Sequence, residues 1–151
     1  MRVSAKADYA IRATVELAAA GPGPVKGDRL AQAQEIPSNF LENILVDLRN
    51  AGLVASKRGA DGGYWLARPA GEITLADVIR AVDGPLANVR GVRPEALAFD
   101  GFAEPLRDVW VAVRASLRSV LERVTLADLA AGELPASVRA LAADPDAWAP
   151  R

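Results

Sequence analysis

The stretch "EIPSNFLENILVDLRNAGLV", residues 35–54, decides how the rest of the chain is read. Phe40, Leu41, Ile44, Leu45 and Leu48 recur at spacings of one, three, one and three, as on a helix with one apolar face. Pro37 suits the first helical turn, where its missing N–H would be unpaired anyway. Gly52 stands where a left-handed residue would end the helix. The opposite face carries Asn39, Glu42, Asn43, Asp47 and Arg49, all polar and free to meet something other than a core.

Downstream, "LVASKR" (53–58) and "YWLAR" (64–68) are strand candidates. The "GADGG" between them fits a hairpin loop, because glycine accepts positive φ. Upstream, "SAKADYAIRATVELAAA" (4–20) predicts a helix capped by Ser4, with Ala10, Thr14, Leu17 and Ala18 on one face. "GPGP" at 21–24 stops it, and a short helix follows over about 27–34 with Leu30 and Ala31 facing in. Helix, turn, helix and β-hairpin is the order of a winged helix-turn-helix.

The second half is more uneven. "EITLADVIRAVDGP" (72–85) predicts a short helix whose Thr74 and Asp77 have capping-box spacing. "VTLADLAAG" (124–132) echoes it with Thr125 and Asp128, which reads as two independent helix starts, since the flanks do not match. Residues 84–104 have Gly and Pro but weak periodicity, so an irregular connection is expected. In "EPLRDVWVAVRASLRSVLERV", Leu106, Trp110, Val113, Leu117, Val120 and Val124 alternate four and three apart, a heptad seam. Such a seam suits an amphipathic helix packed on its own domain or one that meets a second subunit; because the domain before it is already closed, the seam is the expected dimer interface. The end, "DPDAWAPR", reads as a frayed tail.

Composition narrows the function. The chain has 151 residues, 51% of them apolar, and neither Cys nor His. That excludes disulfides, thiolate iron–sulfur ligation, His-Cys zinc sites and any His or Cys catalyst. Net charge is −1, but residues 1–70 carry nine Lys and Arg against seven acids, and residues 71–151 nine against twelve. One basic face is compatible with such a total. "RGADGG" lacks the Gly-Lys-Ser/Thr ending of a phosphate loop and precedes a strand, whereas the phosphate-binding fingerprints open a helix. No Ser lies in a nucleophile elbow, so an enzyme is not expected. No apolar run is long enough for a signal peptide or a membrane span, which makes a cytoplasmic protein the expectation.

These residues resemble a known family, the bacterial Rrf-two-type winged-helix regulators that include IscR, NsrR and CymR. The resemblance rests on "MRVSAKADYAIRATVELA", "IPSNFLENILVDLRNAGLVASKRGADGGYWLARP" and "EITLADVIRAVDGP", and covers about the first 85 residues closely. It implies a homodimer on double-stranded operator DNA, with the long C-terminal helix as the interface. Cluster-binding members carry three cysteines in the loop matching 84–104, where this chain has none. It is therefore similar to a cluster-free branch of the family, as the cysteine-metabolism repressors are, in a cysteine-free form lacking the iron–sulfur ligands. Some members use an oxygen ligand near Asp8; alone, that carboxylate reads as a surface charge. No cofactor and no metal are expected.

The resulting expectation is a mainly α chain. It has a winged helix-turn-helix DNA-binding domain with a two-stranded wing at 1–83 and a connecting loop at 84–104. A dimerisation helix with a short following helix spans 105–135, and a tail spans 136–151. A recognition helix needs short polar side chains near its N-terminal half. Ser38 and Asn39 could reach phosphates or base edges, Glu42 a cytosine amine, and Asn43 adenine N6 and N7. The resemblance implies base reading at Asn39, Glu42 and Asn43, and a minor-groove role for Arg58. Lys57, beside it, shares the base of the hairpin. Gly62 and Gly63, with Gly59, would let the wing backbone approach phosphates. Arg2, Lys6 and Arg49 are candidate phosphate contacts. Tyr64 is read as core. The rival reading is a winged-helix module that regulates through a protein partner. The signal is open: a small-molecule effector in a pocket lined by Trp110, Phe99 and Phe102, a partner protein, or no effector all fit.

Overall fold

Ser4 caps the first helix as its position predicts. In a computed structural model describing residues 1–151, its Oγ accepts the Ala7 N–H at 2.9 Å. The helix, α1 (Ala5–Ala20), buries Ala7, Ala10, Ala13, Thr14 and Leu17. Small side chains on that face let neighbouring backbones come close, and α1 becomes the central post of the fold. Thr14 is the one buried polar residue, and its hydroxyl is satisfied by the Ala10 carbonyl at 2.8 Å within the same helix.

The helix-turn-helix follows as α2 (Gly27–Gln34) and α3 (Ser38–Asn50). Glu35 makes the turn in the left-handed region at φ 52, and the next N–H, of buried Ile36, reaches the Ala31 carbonyl at 2.9 Å. Pro37 stands at the N-cap, one residue before the helix. Leu41, Ile44, Leu45 and Leu48 are buried; Phe40, expected in the same stripe, is half exposed and meets Tyr9 edge-on at 6.2 Å. At the other end Gly52 (φ 76) donates to the Arg49 carbonyl and Leu53 to the Leu48 carbonyl, both at 3.0 Å. That pair of bonds is a Schellman closure, which explains why glycine stands there.

The hairpin pairs β1 (Val54–Lys57) with β2 (Gly63–Leu66) in antiparallel register, Val54 opposite Leu66 and Lys57 opposite Gly63. Val25 adds one rung beyond β2 by exchanging both backbone bonds with Tyr64 at 2.8 Å. Tyr64 packs partly against the core.

Then come α4 (Leu75–Asp83), α5 (Leu106–Leu121), α6 (Leu126–Ala131) and α7 (Ala136–Ala143). Both capping boxes form with reciprocal bonds of 2.9–3.1 Å. They are not independent in space. Leu75 N–H meets the Val124 carbonyl and Leu126 N–H meets the Ile73 carbonyl, each at 3.0 Å, so the two helix starts lie back to back. Leu126 thereby joins Leu30, Ile44, Leu48, Ile73 and Val78 in the main core. The short following helix α6 packs into that core through Leu126 rather than extending α5.

Three further expectations change. The long helix stops at Leu121, and Val124 is 3% exposed inside its own chain, so Val124 leaves the seam. Residues 84–104 are irregular but anchored: Leu86, Pro94 and Leu97 are buried, and Val89 and Val92 exchange backbone bonds at 2.9 Å. The tail holds α7, and Trp148 closes its end by donating its indole N–H to the Ala142 carbonyl at 2.6 Å.

Candidate nucleic-acid interface

Burying Leu41, Ile44, Leu45 and Leu48 settles which way α3 faces. Each such side chain contributes about 1.5–3 kcal/mol when removed from water. Rotation of the helix is therefore strongly resisted, and Ser38, Asn39, Glu42, Asn43, Val46, Arg49 and Asn50 are left in solvent. Asn43 donates to the Asn39 carbonyl at 3.4 Å, a long bond that leaves most of the amide's capacity free.

Three bonds tie α3, the neighbouring helices and the wing into one surface. Arg49 reaches from the end of α3 to the Ser56 hydroxyl of β1 at 3.2 Å. Lys26, at the start of α2, donates to the Gly59 carbonyl in the wing loop at 2.8 Å. Lys6 of α1 pairs with Asp47 of α3 at 2.5 Å. Lys26, Ser38, Glu42 and Tyr64 line one cleft between the start of α2, the first half of α3 and the wing. Lys57, Arg58, Gly59, Ala60 and Asp61 are exposed, and neither Lys57 nor Arg58 has an ion-pair or side-chain hydrogen-bond partner. Two unneutralised cations where β1 enters the wing loop, beside a polar helix face, are what a polyanion needs.

Two expected residues have a constraint of their own. Gly62 and Gly63 are buried. A Cβ on Gly62 would lie 2.0 Å from the Lys57 carbonyl oxygen, and one on Gly63 2.6 Å from that of Val25. They are glycines because the wing folds tightly onto its own backbone. Arg2 is exposed, but the groove it lines is shared with Ile79, Leu86 and Leu117, and no α3 or wing residue lines it. Lys26 was missed by sequence reasoning. The only signal for it is the Val25–Tyr64 rung, which a single residue cannot announce by periodicity. Asp8 pairs with Arg12 at 3.0 Å, one helical turn away, as a surface charge. Phe102 is fully exposed, whereas Phe99 and Trp110 are half-buried.

The seam of α5 has a different character. Leu106, Trp110, Val113, Leu117 and Val120 are each only half buried, and no residue of the helix is fully buried. No helix of the chain is long and apolar enough to cross a membrane.

Residues 3–132 match the family model Rrf2, described as iron-dependent transcriptional regulator. A Mycobacterium tuberculosis protein named as an HTH-type transcriptional regulator, Rv1287, is 57% identical over 145 residues, covering 95% of this chain and 90% of the relative. CymR of Bacillus subtilis is 38% identical over 132 residues, covering 86% and 90%. The solved structure of that CymR superposes with a TM-score of 0.74 over 87% of this chain and 98% of the other. T. potens IscR superposes with 0.71, at 37% identity, over 87% and 88%.

The donors present do not fit the iron of that description. The chain has no Cys and no His, and no three carboxylates gather where a metal ion could be held. Iron–sulfur clusters need thiolates, with imidazole as the usual substitute. The loop at 84–104 instead lies against a cavity lined by Arg80, Arg93, Arg114 and Arg118, which repels a cation. A helix-turn-helix with a polar outer face, a cationic wing and a match over residues 3–132 gives the conclusion: the chain belongs to the Rrf2 family of DNA-binding transcriptional regulators, in a cysteine-free form.

Proposed function

We propose that the chain works as a homodimeric repressor on an operator of two half-sites. The observation that carries this is the pairing of one satisfied helix with one unsatisfied helix. α3 has its apolar face buried and its polar face free, and α5 has an apolar seam that its own chain leaves half exposed. Two copies joined through Leu106, Trp110, Val113, Leu117 and Val120 would present two copies of α3 related by a twofold axis. Residues 1–83 then form the reading unit and α5 the coupling between copies, while α6 returns to brace the reading unit.

Within each half-site Ser38, Asn39, Glu42 and Asn43 face base edges, and Lys57 and Arg58 enter the adjacent minor groove. Lys6 and Arg49 hold phosphates from positions already braced by Asp47 and Ser56. A dimer covering two half-sites blocks a promoter by occupancy alone, which favours repression. A DNA ligand puts the protein in the cytoplasm of a bacterium.

Selection from a randomised duplex pool tests the reading. It should enrich an inverted repeat whose half-sites are about one helical turn or more apart. Enrichment of an unsymmetric site, or none, would count against it.

A further inference from the structure

Four arginines from three separate parts of the chain converge on one cavity of about 380 Å³. Arg80 comes from the last turns of α4, Arg93 from the loop, and Arg114 and Arg118 from successive turns of α5. Only two carboxylates touch these guanidiniums. Glu95 pairs with Arg114, and one oxygen of Glu122 accepts from both Arg80 at 2.5 Å and Arg118 at 3.0 Å. Arg93 has no partner. Both carboxylates are held below their ordinary range. For Glu95 the main causes are a backbone hydrogen bond and the Arg114 bond; for Glu122 they are the bonds from Arg80 and Arg118. They stay ionised, yet four cations facing two anions leave an excess of two positive charges.

That excess sits in the half of the chain whose overall balance is acidic, nine basic against twelve acidic residues. Of the eight residues lining the cavity, Leu86 is the one large aliphatic side chain outside the guanidiniums; Gly84, Pro85 and Glu95 complete the wall. Guanidinium forks match the paired oxygens of phosphates and carboxylates, and several forks on one site select a doubly charged ligand. Water and chloride could screen the charges but would not use the fork geometry.

We propose that this cavity is a binding site for a small dianion, carrying either a phosphate group or two carboxylates, held between α4 and α5. Such a ligand bridges Arg80 on α4 to Arg114 and Arg118 on α5. α4 packs on α1 and α3, and α5 carries the dimer seam, so the ligand sets the angle between reading unit and seam. It is thereby a regulator of operator binding by the chemistry of the site, in a place where the family's iron does not fit.

Calorimetry on the full chain tests this without DNA, so that failure here leaves the operator reading untouched. Inorganic phosphate and succinate are titrated separately at fixed ionic strength, with chloride as the balancing salt. Saturable binding of one dianion per chain is expected for at least one of them, and which one binds names the ligand's headgroup. Arg93→Ala removes the unpartnered fork without breaking an ion pair and should weaken that binding about tenfold or more. Arg93→Lys should recover part of it. Absence of saturable binding for both anions, or equal binding by wild type and Arg93→Ala, overturns the proposal.

Discussion

α3 and α5 are both amphipathic helices, of 13 and 16 residues, but their apolar faces have different fates. The leucines of α3 are buried by α1, α2 and α4, whereas α5 leaves its chain with no residue fully covered. The difference teaches what each helix is for. A helix whose apolar side is satisfied within the chain can spend its polar side on an external partner. A helix whose apolar side is half exposed leaves that side open to a partner, as the proposed dimer requires.

The sharpest way to break this comparison is to truncate one leucine on each helix. Leu48→Ala removes a side chain with no exposure and should cost about 3 kcal/mol of folding stability, seen as a lower urea midpoint. That loss should be the same at any protein concentration. Leu117→Ala should cost about 2 kcal/mol, and the loss should be concentration-dependent, because it acts on association. Sedimentation equilibrium of the variant should show more monomer than wild type. If both variants behave alike, α5 is packed on its own chain and the contrast fails.

Much of this was legible in the sequence, and the reasons are specific. The period of Leu41, Ile44, Leu45 and Leu48 reports burial directly, since only one face of a helix can meet a core. Gly52 and the "GADGG" loop report local backbone needs. Features built from distant residues were not legible. The back-to-back contact of Thr74 and Thr125 joins two parts of the chain whose flanking residues differ. Gly62 and Gly63 carry a constraint from the closeness of the Lys57 and Val25 backbone, which no local pattern shows. Val124 continued the four-three rhythm, but the helix had already ended, and a rhythm of six positions cannot mark where its last turn unwinds. The four arginines of the cavity are spread over 39 positions and have no motif at all.

The remaining expected effects lie on the DNA side, and they bear most directly on the central claim that α3 and the wing read DNA together. The measurement is fluorescence anisotropy on the selected operator and on a random duplex, over a range of salt, for wild type, Asn43→Ala and Arg58→Ala. Asn43→Ala should lose about 1–3 kcal/mol on the operator and almost nothing on the random duplex, because it removes base reading. Arg58→Ala should weaken binding to both and lower the slope of log affinity against log salt by about one, because it removes a groove cation. Wild-type affinity and an unchanged salt slope in both variants would contradict the account.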